Sequence, residues 1–154
     1  LAPVIPSAVE VPPMTRVRFV TDAGTFVLEF DSEAAPRAVA NVRSVVQQRR
    51  YDGLRWHRIV PGFVVQGGDP RGDGYGGTET PIWTELSLGA FERGAIGIPL
   101  SGLDTGGMQL FVVTGDAPHL DGRYPWAGRV IRGMDVLDGI LPGDRILHAE
   151  LIER

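Results

Sequence analysis

From Arg16 onward the chain reads as a series of short apolar and polar alternations broken by glycine and proline. Arg16 to Val20 and Thr25 to Phe30 are two short strand patterns on either side of Asp22-Ala23-Gly24, a hairpin signal. Pro36 to Arg50 is the first helical stretch. Val39, Val42, Val45 and Val46 recur there at spacings of three and four, with proline near the start, where a helix tolerates it. Leu54 to Val60 predicts a strand, Pro61-Gly62 a reversal, and Phe63 to Gln66 the return strand. On that strand Phe63 and Val65 are expected on one face and Val64 and Gln66 on the other. Asp69 to Thr80 is too glycine-rich for regular structure, and Trp83 to Leu88 predicts a brief strand. Ala95 to Leu100 and Met108 to Thr114 predict buried strands joined by a glycine-containing loop. A turn within His119 to Tyr124, a strand from Trp126 to Ile131, a short helix from Met134 to Ile140 and an alternating strand from Ile146 to Ile152 complete the pattern.

Many short strands with two helices imply a mainly β fold. Only the first helix offers a crossover long enough for a parallel pair, so the sheet should be mostly antiparallel. A closed antiparallel β-barrel capped by two α-helices fits best, because closure removes edge strands. The opening LAPVIPSAVEVPP carries four of the chain's 12 prolines and predicts an extended segment or linker over residues 1–14. Residues 15–154 then form a single folded domain.

Composition narrows the function classes. The length of 154 residues fits one domain, and 43% apolar content is ordinary for a globular fold. A net charge of −4 supplies no general attraction to nucleic acid or anionic lipid. All 15 basic residues are arginine, which suggests a high-GC genome. Zero cysteines exclude a disulfide framework, a thiol nucleophile and a thiolate metal site. No apolar run approaches the roughly 20 residues of a membrane-spanning helix. The chain begins at Leu1 without an initiator methionine, consistent with removal of a leader or an upstream domain. The compartment, cytoplasmic or extracytoplasmic, is left open.

Candidate chemistry concentrates in YDGLRWHRIVPGFVVQGGDPRGDGYGG, Tyr51 to Gly77. The hairpin brings together a permanent cation (Arg58), an amide (Gln66) and an aromatic ring. Arg58 reads either as a strand arginine in a surface ion pair or as a fork aimed at a ligand carbonyl or amide. Gln66 reads either as a satisfied core amide or as a ligand contact. The glycine-rich loop lacks the Gly-Lys-Ser/Thr of a phosphate cradle. Arg71-Gly72-Asp73, the tripeptide that adhesion receptors read, is here taken as part of a turn. His57, His119 and His148 have no metal-ligand spacing, and no nucleophile elbow or triad is present. An arginine, amides and apolar rings suit the binding, and distortion, of a peptide.

His57-Arg58-Ile59-Val60-Pro61-Gly62-Phe63-Val64-Val65-Gln66-Gly67-Gly68-Asp69-Pro70 resembles the signature of the cyclophilin-type peptidyl-prolyl isomerases. Gly107-Met108-Gln109-Leu110-Phe111 is similar to the family's Gly-Ser-Gln-Phe-Phe strand, and His119 to Tyr124 to its Trp-Leu-Asp-Gly-Lys-His loop. Gly128-Arg129-Val130 to Ile140 matches a further strand-plus-helix block, so the resemblance runs in order from about Arg16 to the C-terminus. It implies an eight-stranded antiparallel barrel with two helices, in a divergent bacterial member. It also implies catalysis of cis/trans rotation about X–Pro bonds, assisting protein folding, with no cofactor or metal. Arg58 matches the family's catalytic arginine, with Phe63 and Gln66 beside it. Val64, Phe111 and Leu120 would grip the proline ring, Gln109 would line the groove, and Pro99 and Leu100 would form its rim. The implied partners are proline-containing peptides and folding chains, bound by a monomer, with no nucleic acid and no membrane span.

This chain also departs from the family. Val64 stands where methionine is common, Leu100 replaces an asparagine, and Pro99 replaces an alanine, removing a backbone donor. His119 stands in place of a tryptophan important for cyclosporin, so weak cyclosporin binding is expected. Tyr124 replaces a pocket histidine and keeps a ring with a polar tip. The alternative reading is a catalytically weak module that binds proline-containing segments.

Overall fold

The computed structural model describes residues 12–69, 89–99 and 108–152. Leu100, the strand expected from Trp83 to Leu88, the Arg71-Gly72-Asp73 tripeptide and most of the linker fall outside them. Eight strands and two helices are present among the described residues. Strands β1 (Met14–Thr21) and β2 (Gly24–Asp31) form the expected hairpin, paired antiparallel from Met14↔Asp31 to Thr21↔Gly24. Helix α1 (Pro36–Gln47) follows, then β3 (Arg58–Val60), β4 (Val64–Gly67), β5 (Ala95–Gly97) and β6 (Leu110–Val113). A 3-10 turn over Pro118–Leu120 precedes β7 (Trp126–Arg132), α2 (Met134–Asp138) and β8 (Ile146–Ile152). Every strand pair is antiparallel.

The sheet runs β3-β4-β6-β5-β7-β2-β1-β8, which leaves β3 and β8 at its two ends. These ends are not laddered together, so the architecture is a curled half-barrel and not the closed barrel expected from the alternation. The gap is spanned by an isolated antiparallel bridge, Arg55↔Arg145, and by the N–H of Trp56 donating to the Asp144 carbonyl (3.0 Å). The reason lies in β3. Its predicted start at Leu54 is replaced by irregular backbone up to Arg58, so the residues nearest Asp144 and Arg145 form that bridge and not a ladder.

Helix α1 also ends earlier than its periodicity predicts. Arg49 adopts a left-handed φ of 58°, the conformation that ordinarily terminates a helix, and the Arg50 N–H returns to the Val45 carbonyl at 3.0 Å. The face carrying Ala38, Val39, Val42, Val45 and Val46 is buried. It packs into the main core with Phe19, Phe26, Phe30, Tyr51 and Trp56. Phe19 and Phe26 stack at 5.3 Å, and Trp56 lies 5.9 Å from Phe26. Burial of each such ring contributes on the order of 2–3 kcal/mol, before entropy is subtracted.

A second apolar cluster lies on the opposite face of β4, β5 and β6: Val64, Phe91, Ala95, Phe111, Val113, Ala117 and Leu120. Strand alternation divides the residues between the two. Val65, Leu110 and Val112 point into the main core, while Val64, Phe111 and Val113 point away from it. The sheet is therefore apolar on both faces here, and the outer cluster becomes the floor of a pocket.

Candidate active site

The segment from Thr114 to Tyr124 folds back over the outer cluster and makes it concave. Three hydrogen bonds tie the segment to the rest of the fold and a fourth closes its own turn. The Thr114 N–H donates to the Phe63 carbonyl (2.8 Å), the Ala117 N–H to the Phe91 carbonyl (2.8 Å), and the Leu120 N–H to the Ala117 carbonyl (2.9 Å). In return, the Phe91 N–H donates to Oδ1 of Asp121 at 2.7 Å. These bonds satisfy backbone groups that burial would otherwise leave unpaired.

The result is a pocket of about 300 Å³ lined by Arg58, Phe63, Val64, Gln66, Pro99, Phe111, His119, Leu120 and Tyr124. Those nine residues include every site residue expected from the sequence except Leu100, which lies outside the described residues, and Gln109. Gln109 is buried immediately behind the wall, where Nε2 of Gln66 donates to its Oε1 at 3.1 Å. Arg58 sits directly across the β3–β4 ladder from Gln66 and is exposed at the pocket mouth. Its guanidinium carbon lies 5.9 Å from the centroid of the Phe63 ring, within reach of a cation–π attraction.

One facing expectation is overturned. Phe63 was expected on the face of Val65, but it lines the pocket together with Val64. The strand begins only at Val64, and Phe63 belongs to the turn, with its N–H bonded to the Val60 carbonyl at 2.9 Å. Strand alternation does not apply to a turn residue. Phe63 stacks on His119 at 5.6 Å, so the mouth of the pocket is rimmed by two rings.

The floor contains residues that sequence reasoning missed. Phe111 stacks on Phe91 (centroids 5.7 Å apart, planes 16° apart) and receives Tyr124 edge-on at 5.7 Å. Phe91 carries no periodic signal, lying in a short glycine-flanked stretch. Gly97 is the second omission. A Cβ there would lie 2.6 Å from Cε2 of Phe111, closer still to Cζ, and 2.7 Å from Cε1 of Phe91. The available signal was an isolated glycine inside a strand pattern, which marks a close approach.

Chemically, the pocket offers one exposed guanidinium, one amide backed by a buried second, and an aromatic-lined apolar hollow. Among the described residues no group of three or more His, Asp or Glu side chains could hold a metal ion. No helix among them is long and apolar enough to cross a membrane.

An apolar hollow with an exposed guanidinium at its rim, set on the outer face of a curled eight-stranded antiparallel sheet, fits a class of enzyme that twists a bound peptide without covalent chemistry. Comparison with known proteins agrees. The family model described as cyclophilin type peptidyl-prolyl cis-trans isomerase/CLD matches residues 16–148. The chain belongs to this family, and its activity is the family's, rotation about the X–Pro peptide bond. It is 36% identical over 141 residues to a peptidyl-prolyl cis-trans isomerase of Synechococcus elongatus, covering 90% of this chain and 97% of the relative. It is 40% identical over 125 residues to peptidyl-prolyl cis-trans isomerase B of Bacillus subtilis, covering 80% and 87%. In fold it matches a cyclophilin-type isomerase of Cryptosporidium parvum with a TM-score of 0.83 at 24% identity, covering 92% of this chain and 99% of the other. A second crystal structure of that protein, obtained in the presence of the dipeptide Ala-Pro, matches with a TM-score of 0.82, covering 90% and 99%.

Proposed function

We propose that the pocket seats the proline ring of an extended peptide and that Arg58 drives rotation by donating a hydrogen bond to the proline nitrogen. The planar amide owes its barrier of roughly 18–20 kcal/mol to C–N double-bond character, and uncatalysed X–Pro exchange takes tens of seconds or longer. In the twisted state that character is lost and the nitrogen lone pair localises, so it can accept a hydrogen bond. A donor held at that point binds the twisted state more tightly than either planar state, which is the requirement for acceleration. Arginine is suited to it because it stays protonated and has five N–H donors. Rotation moves no proton and breaks no bond, so the step requires no base, nucleophile or metal.

The remaining roles follow the geometry. Phe63, Val64, Phe111 and Leu120 supply the apolar seat, and Tyr124 and His119 extend it with rings. Gln66, bonded to Gln109, presents its remaining amide capacity to the substrate backbone beside Arg58. Pro99 lines the rim without an N–H, so an extended peptide must pair with other backbone groups there. The substrate class is proline-containing segments of folding chains. The Ala-Pro dipeptide present with the fold relative is the chemical unit this seat would hold.

The single observation that carries this reading is the convergence of Arg58, Gln66, Phe111 and Leu120 on one pocket from elements far apart in the chain. Its test is exchange of a proline-containing tetrapeptide. Arg58→Ala is expected to lower kcat/KM by about 10²–10³, the usual loss for one transition-state donor. Arg58→Lys, which keeps the charge but not the planar fork, should recover only a small part of it. Equal rates for wild type and Arg58→Ala would refute the mechanism.

A further inference from the structure

Tyr51 is fully buried in the main core and does not line the pocket, yet its hydroxyl bonds the backbone one residue before Gln109. Its ring packs 5.7 Å from Phe19, and its Oη donates to the carbonyl of Met108 at 2.8 Å. Burial pushes the phenol well above its ordinary range, so it remains a donor throughout the working pH range. Met108 is itself 1% exposed, which leaves its carbonyl no recourse to water. The same carbonyl is in close approach to Gly68, at the exit of β4, where an added Cβ would collide with it and lie 3.1 Å from Cε1 of Tyr51.

Met108 precedes Gln109, and Gln109 lies just outside the β4–β6 ladder, whose last pair is Gly67↔Leu110. From Tyr51 the chain of contacts runs through the Met108 carbonyl to Gln109, then by a 3.1 Å hydrogen bond to Gln66, which faces Arg58 across β3 and β4. We infer that Tyr51 is a positioning residue for the isomerisation site: its hydroxyl anchors Met108 and thereby holds Gln109, and through it Gln66, in register with Arg58. This rests on the roles given above to Gln66 and Gln109.

The test is a double-mutant cycle on the tetrapeptide assay with Tyr51→Phe, Gln109→Ala and the pair. Tyr51→Phe keeps the ring packing and is expected to lower kcat about five- to tenfold with KM nearly constant, because small misplacements of a pre-arranged group are costly. In the Gln109→Ala background the same change should cost less than about twofold, since residues acting through one another are not additive. An equal loss in both backgrounds would overturn the inference and assign Tyr51 a purely structural part. Full activity of Tyr51→Phe beside an impaired Gln109→Ala would overturn the inference alone. Full activity of Gln109→Ala would overturn it together with the role of Gln109. A measurement on the wild type applies even if Tyr51→Phe does not fold. The Gln109 side-chain amide should be ordered, and a flexible one, with an order parameter below about 0.6, would overturn the anchoring.

Discussion

Gly97→Ala tests whether the Phe111 ring is the floor of the working pocket. The added Cβ would sit 2.6 Å from Cε2 of Phe111 and 2.7 Å from Cε1 of Phe91, whereas ordinary carbon contacts lie near 3.5–4.0 Å. With Cζ of Phe111 closer still, the nearer ring must retreat by more than about 1 Å. Phe111 is stacked on Phe91 and met edge-on by Tyr124, so the free direction is into the pocket. Overpacking of this kind costs about 1–3 kcal/mol. At about 2–4 °C per kcal/mol for a chain of this size, Tm should fall by roughly 2–12 °C. A seat displaced by about 1 Å costs up to roughly 10²-fold in rate, so kcat/KM should drop about ten- to a hundredfold. The assay pairs tetrapeptide exchange with thermal unfolding. Gly139→Ala is the control, because Gly139 has ordinary helical dihedrals and the nearest atom to its added Cβ, the Val136 carbonyl oxygen, is 3.6 Å away. A cooperatively folded Gly97→Ala enzyme with wild-type kcat/KM would refute the reasoning, since the proline seat could not then depend on where Phe111 sits.

Two further outcomes are expected. Hydrogen bonding to Arg93 lowers the Asp138 carboxyl pKa and hydrogen bonding to Arg18 lowers that of Glu150; for Asp52, burial pushes upward but bonds from His148, Ala149 and Arg49 outweigh it. Carboxylates lowered in the folded state stabilise it above their unfolded values and lose that stabilisation as pH falls through the folded ones. Thermal stability should therefore weaken below about pH 4, and Asp138→Asn should lower Tm at pH 7 by more than at pH 2. An Asp138→Asn effect of equal size at both pH values would sink this assignment. Cyclosporin is expected to bind no tighter than about micromolar, because the imidazole of His119 offers far less contact area than an indole. A fluorescence titration giving nanomolar affinity would contradict that role for His119.

Much of the site was legible along the chain. Arg58 and Gln66 face each other because the three turn residues Pro61-Gly62-Phe63 set their register, and alternation puts Val64 and Gln66 on one face, whereas Phe111 reads along the chain simply as core. Phe63 was misplaced because alternation was extended one residue into the turn. The sheet stays open for a related reason: the pattern of Leu54 to Val60 reads as strand throughout, although only its last three residues ladder.

Local propensity and periodicity act between residues a few positions apart, and so they settled the hairpins, both helices, the antiparallel sense of the sheet and the order of the motifs. They carry no information on which distant groups meet. Pairing β4 with β6 placed Gln66 against Gln109, 43 residues away, and the closure of Thr114 to Tyr124 over Phe91 made an outward apolar face into a pocket. Close packing then fixed what no pattern announced: Gly97 empty so that Phe111 can lie flat, and Tyr51 turned from the core toward a carbonyl 57 residues on. Those contacts are decided by the density of the folded interior, which only the assembled chain possesses.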